Sequence, residues 1–69
     1  MKLSARNVFK GKVVQVTRGQ TTAHVKIEIA AGAIVTAFIT NEAVDELQLK
    51  NGDAAYAVIK TSDVMVARD

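Results

Sequence analysis

From Thr21 to Ile29 the chain alternates strictly between two kinds of residue. Thr21, Ala23, Val25, Ile27 and Ile29 fall on one side, and Thr22, His24, Lys26 and Glu28 on the other. Period 2 with one apolar face predicts a strand that buries a single side. Before it, Val8 to Thr17 reads as a first strand, with Gly11 inside it as the mark of a bulge or a sharp bend. Arg18-Gly19-Gln20 reads as the hairpin turn between the two. Ala30-Ala31-Gly32-Ala33 turns the chain again. Ile34 to Thr40 predicts a third strand that is apolar on both faces: Ile34 and Phe38 on one, Val35, Ala37 and Ile39 on the other. Such a strand needs cover on both sides, and a second subunit is a natural source of it.

The period then changes. Thr40 to Leu47 predicts a short helix, capped by Thr40 or Asn41, with Glu42 in its first turn and Val44 and Leu47 packed inward. Lys50-Asn51-Gly52-Asp53 is a turn. A fourth strand is expected from Ala54 to Lys60, a turn at Thr61-Ser62-Asp63, and a short fifth strand at Val64 to Ala67. The expected fold is all-β: a five-stranded OB-like barrel with one short helix between strands 3 and 4, formed by residues 1–69 as a single domain.

Composition sharpens this picture. Val, Ile and Thr make up 21 of the 69 residues, which favours pleated structure. A chain of this size buries only about 60% of the surface its unfolded form exposes. It has no cysteine, so neither a disulfide nor a thiolate metal site supports it. Oligomerisation is the expected remedy. One histidine, His24, does not make a site for a bare metal cation. The segment Met1 to Asn7 lacks an apolar core of the signal-peptide kind, and no run of about 18 apolar residues exists. The expectation is a cytoplasmic protein without membrane contact.

Charge is unevenly distributed. Residues 1–27 carry Lys2, Arg6, Lys10, Lys12, Arg18 and Lys26 and no acid, whereas residues 28–69 carry three bases and seven acids. A base-rich first third points to an anionic ligand or to a solvated basic strand face. Catalysis is not indicated. Ser4 and Ser62 stand in no nucleophile motif with His24. Glu42, Asp45 and Glu46 form a polar helix face, and the four glycines are too scattered for a phosphate loop. Phe9, Phe38 and Tyr56 stand alone in their segments, a poor platform for stacking bases, and Phe9 and Phe38 are expected in the core. No nucleic acid is expected as a partner. A single-stranded nucleic-acid-binding OB module is the alternative function.

Two clusters of hydrogen-bond donors stand out. Ser4-Ala5-Arg6-Asn7 combines a hydroxyl, a guanidinium and an amide, and Lys60-Thr61-Ser62 an ammonium and two hydroxyls. A fully deprotonated tetrahedral dianion offers only acceptors, so its shell should hold donors and no carboxylate. Such a shell favours ions of the sulfate, molybdate or tungstate kind over protonated phosphate. Spacing alone does not make the two clusters a site, since they lie over fifty residues apart; the plainer reading is a frayed N-terminus and a capped turn.

Ser4-Ala5-Arg6-Asn7 followed by Lys10-Gly11-Lys12-Val13 resembles the opening of the molbindins, the small molybdate-binding Mop proteins. The resemblance continues through Val25-Lys26-Ile27-Glu28-Ile29, Val44-Asp45-Glu46-Leu47 and Val58-Ile59-Lys60-Thr61-Ser62-Asp63-Val64-Met65. It implies an OB-like barrel assembled as a homo-oligomer, a hexamer built as a trimer of dimers. It implies non-catalytic storage or buffering of molybdate or tungstate at subunit interfaces, with that ion as bound ligand and no organic cofactor. Carried onto matching positions, the ion would meet Ser4, the Ala5 backbone, Arg6, Lys60, Thr61 and Ser62, with Thr40 contributed by the partner subunit. Ala43 stands where several relatives have serine, so one hydroxyl is missing, and N–H groups at the helix start are left as substitutes. A second class of site is implied around Gly19, Gln20, Thr21 and Thr22.

Overall fold

The computed structural model describes residues 3–69; Met1 and Lys2, the latter one of the bases counted above, lie outside them. The elements follow in the order β1 (Asn7–Arg18), β2 (Thr22–Ala30), β3 (Ala33–Thr40), α1 (Asn41–Leu47), β4 (Ala54–Ile59) and a single 3-10 turn at Thr61–Asp63. The strands form one antiparallel sheet in the order β3-β2-β1-β4. The helix lies between the third and fourth strands, as the change of period predicts.

β1 organises the sheet because it is shared. Its first half, Asn7 to Lys12, pairs with β4, and its second half, Lys12 to Arg18, pairs with β2. The register against β2 slips between Val13 and Gln15, so the bulge falls at Val14 rather than at Gly11. A bulge bends its strand and increases the local twist. Here it stands where β1 changes neighbours, and the sheet curls into a half-barrel. Gly11 has a different role. A Cβ there would lie 2.5 Å from the Glu28 carbonyl oxygen and 2.7 Å from Ile27 Cγ2. Only glycine lets β1 pass so close to β2.

The core lies inside the curl. Val13, Ala23, Val25, Ile27, Val44 and Ala57 are buried, and Val35, Ala37 and Ile39 pack against them. The alternation read from the second strand is the one observed. α1 contributes Val44 to this core. Its start is capped by Thr40, whose Oγ1 accepts from Ala43 N–H at 3.0 Å. Its end is closed by Gln48 in the left-handed region, φ 52°. The following turn is tied back to β1: Gly52 N–H donates to the Val13 carbonyl at 2.8 Å, and Val13 N–H to the Asp53 carbonyl at 2.9 Å.

Several expectations need correction. The fifth strand is not formed: the sheet has four strands among the described residues, and the segment after Asp63 carries no regular structure. Met65 and Val66 are each 93% exposed. A barrel needs that strand to close, so the concave face stays open as an apolar trough of about 600 Å³ lined by residues such as Val25, Ile27, Val35, Leu49, Ala55 and Ala57. Leu47 is exposed at its rim. Phe9 is 41% and Phe38 63% exposed, so neither is a core residue of this chain. Ile34 shares the outer face of β3 with Phe38 and is also exposed. His24 lies on that outer face with its ring edge-on to Phe38, centroids 4.8 Å apart, a cross-strand pair rather than a base beside a nucleophile.

Candidate oxyanion site

The register brings the two donor clusters together. The β1–β4 ladder ends at Asn7 opposite Ile59. Ser4-Ala5-Arg6 is the chain entering β1, and Lys60-Thr61-Ser62 is the chain leaving β4, so both lie at one corner of the sheet. Lys60 precedes the 3-10 turn, and its carbonyl accepts from Asp63 N–H at 2.9 Å. That turn bends the chain immediately after Lys60. Ser4, Arg6, Lys60, Thr61 and Ser62 are exposed and Ala5 is half-buried. Among the described residues the one salt bridge is Arg18–Asp45, at 2.7 Å, so Arg6 and Lys60 share none of it. The corner is therefore a pair of cations with three hydroxyls, open to a ligand that accepts hydrogen bonds.

Thr40 lies elsewhere. It pairs with Thr22 at the other end of the sheet, beside the β1–β2 turn. The twelve residues of β1 separate these ends, by up to roughly 36 Å at about 3.3 Å per residue. Thr40 and Lys60 of one chain therefore stand at opposite ends of β1 rather than at one corner. The hydroxyl of Thr40 already accepts from Ala43, and its own hydrogen remains to be donated. The Ala43 N–H is thereby engaged, so of the helix-start N–H groups expected as substitutes this one is taken.

The Gly19–Thr22 segment adjoins Thr40. Gly19 N–H donates to the Thr22 carbonyl at 2.7 Å, closing the turn. Asn41 holds the turn from the side. Its N–H donates to the Thr21 carbonyl at 2.8 Å and its Nδ2 to the Gly19 carbonyl at 3.0 Å. The sequence offers Asn41 only as an alternative helix cap. Its link to Gly19 is a contact between residues 22 apart, visible only once the strands are in register.

The TOBE-domain family model matches residues 3–66. The chain belongs to the TOBE-domain family. Among its relatives in this family is the molybdenum-pterin-binding protein 3 of Clostridium pasteurianum, 48% identical over 66 residues that cover 96% of this chain and 97% of the relative. The fold is similar to that of MopII from the same organism, with a TM-score of 0.90 and 45% identity over 97% of this chain and 100% of MopII. It is also similar to ModG, a cytoplasmic molybdate-binding protein whose structure holds molybdate, with a TM-score of 0.89 and 43% identity over 94% of this chain and 46% of ModG. The resemblance to the Mop proteins read from the motifs is thus a family relationship that runs through nearly the whole domain.

Proposed function

We propose that this protein binds molybdate or tungstate between subunits of a homo-oligomer and serves as a non-catalytic cytoplasmic store or buffer of the ion. The observation that supports this reading is the sheet corner to which the register brings both Ser4-Ala5-Arg6 and Lys60-Thr61-Ser62. Two cations neutralise a dianion, and the hydroxyls and the Ala5 N–H supply donors; the first carboxylate in sequence, Asp63, comes only at the end of the turn. The relatives' names and the molybdate held by ModG select the molybdenum oxyanion from the class that the donors admit.

The separation of the two ends supports an interface location, with Thr40 as a ligand. In this reading a second chain brings Thr40 to the shell of Arg6 and Lys60. The exposed apolar surface supports such an assembly. The trough on the concave face lacks a strand, and Val64, Met65 and Val66 lack a sheet. The fifth strand expected at Val64 to Ala67 completes the barrel of a partner subunit in this reading, and a hexamer arranged as a trimer of dimers buries the remaining apolar positions. Bound ion then stabilises the assembly by linkage, because it offsets repulsion between Arg6 and Lys60. Gly19 to Thr22, beside Thr40, is the place proposed for the second class of site.

A native mass spectrum decides the matter, recorded with molybdate and then with sulfate at equal concentration. A hexamer that gains several molybdate masses and few sulfates is the expected result. A monomer or dimer without a molybdate-specific gain overturns the reading.

A further inference from the structure

The β1–β2 turn and the start of α1 meet through one residue. Asn41 donates its Nδ2 to the Gly19 carbonyl and its backbone N–H to the Thr21 carbonyl. Gly19 closes the turn by donating to Thr22, and Thr22 is the register partner of Thr40. Thr40 in turn accepts from Ala43. The turn, the last residue of β3 and the first turn of α1 therefore form one hydrogen-bonded block with Asn41 at its centre.

Asn41 fits this place imperfectly. Its Oδ1 is buried and has no hydrogen-bond partner among the described residues. A buried acceptor left unpaired carries a desolvation penalty. The amide is the group that meets the Gly19 carbonyl with a donor while remaining uncharged. An aspartate of the same shape would turn oxygen toward oxygen and place a negative charge beside Thr40. A small apolar residue would avoid the unpaired acceptor but release the turn.

We propose that Asn41 is a positioning residue for oxyanion binding. It does not touch the ion; it fixes the β1–β2 turn against β3 and so sets the direction in which the Thr40 hydroxyl donates. The inference rests on the proposed function, and in particular on Thr40 as a ligand.

A double-mutant cycle on the full-length protein tests it, with molybdate affinity measured by calorimetry and assembly checked by native mass spectrometry. Asn41→Ala is expected to weaken binding about fivefold, on the scale of one neutral hydrogen bond, with the oligomer mass unchanged. If Asn41 acts through Thr40, the Thr40→Ala/Asn41→Ala protein binds about as well as the weaker single variant rather than showing the product of the two losses. Multiplying effects, or an Asn41→Ala affinity equal to that of the parent, overturns the proposal. A Thr40→Ala protein of unchanged affinity does the same. Asn41→Asp serves as the isosteric variant if the alanine protein fails to fold. It is expected to bind more weakly than Thr40→Ala and to narrow that gap as salt is added, because its added charge is screened. An Asn41→Asp affinity equal to the parent's overturns the proposal. A parent protein that gains no molybdate refutes the proposed function itself, and the inference falls with it.

Discussion

At one end of the sheet, the chain entering β1 and the chain leaving β4 present Arg6 and Lys60 on exposed segments with few hydrogen bonds of their own. At the other end, Gly19 to Thr22, Thr40 and Asn41 are tied together by four hydrogen bonds and carry no charged side chain. The first end presents cations outside any salt bridge among the described residues, on loosely held segments; the second is fixed by neutral groups, and its one cation, Arg18, is already paired with Asp45. Charge attracts an anion over distance but does not select among anions. Fixed neutral donors select by geometry and add little attraction. The proposed site draws on both qualities by bringing together the unlike ends of two chains.

The severest test of this contrast removes the means of bringing the ends together. Deleting residues 64–69 keeps every residue proposed as a ligand but takes away Val64, Met65 and Val66. The expected outcome is loss of the oligomer and of all molybdate gain in native mass spectra. A truncated protein that still binds would show that one chain suffices.

Next in size are the charges. Arg6→Ala and Lys60→Ala are each expected to weaken binding by about 1.5–3 kcal/mol, the range for charge-assisted hydrogen bonds, measured by calorimetry. Unchanged affinity in both removes this corner from the site. Thr40→Ala should cost less, about 0.5–1.5 kcal/mol for a neutral donor; a loss equal to that of Lys60→Ala would reverse the ranking of the two ends. Refolding a mixture of Arg6→Ala and Thr40→Ala chains sharpens the point. Some interfaces then combine an intact corner with an intact Thr40, and parent-like affinity should return in that fraction. If it does not, the two residues serve the same chain's site. The smallest effect belongs to Arg18→Ala. Its salt bridge to Asp45 is exposed on both sides. Its removal should lower stability by less than about 0.5 kcal/mol in urea and leave molybdate binding as it was.

Much of this fold is legible in the sequence. The alternation from Thr21 to Ile29 gave the buried face of β2, because one face of that strand meets the core and the other meets solvent. The donors at Ser4-Ala5-Arg6 and Lys60-Thr61-Ser62 were legible as types, and the β1–β4 register made neighbours of them. What escaped depends on partners in space. Val64 to Ala67 has the composition of a strand, yet a strand exists only beside another. Leu47 has helical spacing from Val44, but a seven-residue helix over an open trough covers one of the two and leaves the other at the rim. Phe9 and Phe38 are apolar enough for a core, and period alone does not say whether the surface they face belongs to the same chain. Gly11 marks a close approach rather than the expected bulge, which lies at Val14, because Gly11 answers to the crowding of Glu28 and Ile27 across the ladder.

The open sheet has a consequence for how the protein is made. β3 and β4 are both edges, with backbone donors and acceptors unpaired along their outer sides. The chain contains no proline to interrupt pairing, and β3 exposes Ile34 and Phe38 on its outward face. Such edges accept any strand offered, and a newly synthesised chain offers several. Correct partnering and indiscriminate strand addition therefore compete for the same surfaces during folding. Refolding yield should pass through a maximum as chain concentration rises, since too few neighbours leave the edges bare and too many offer them the wrong strands.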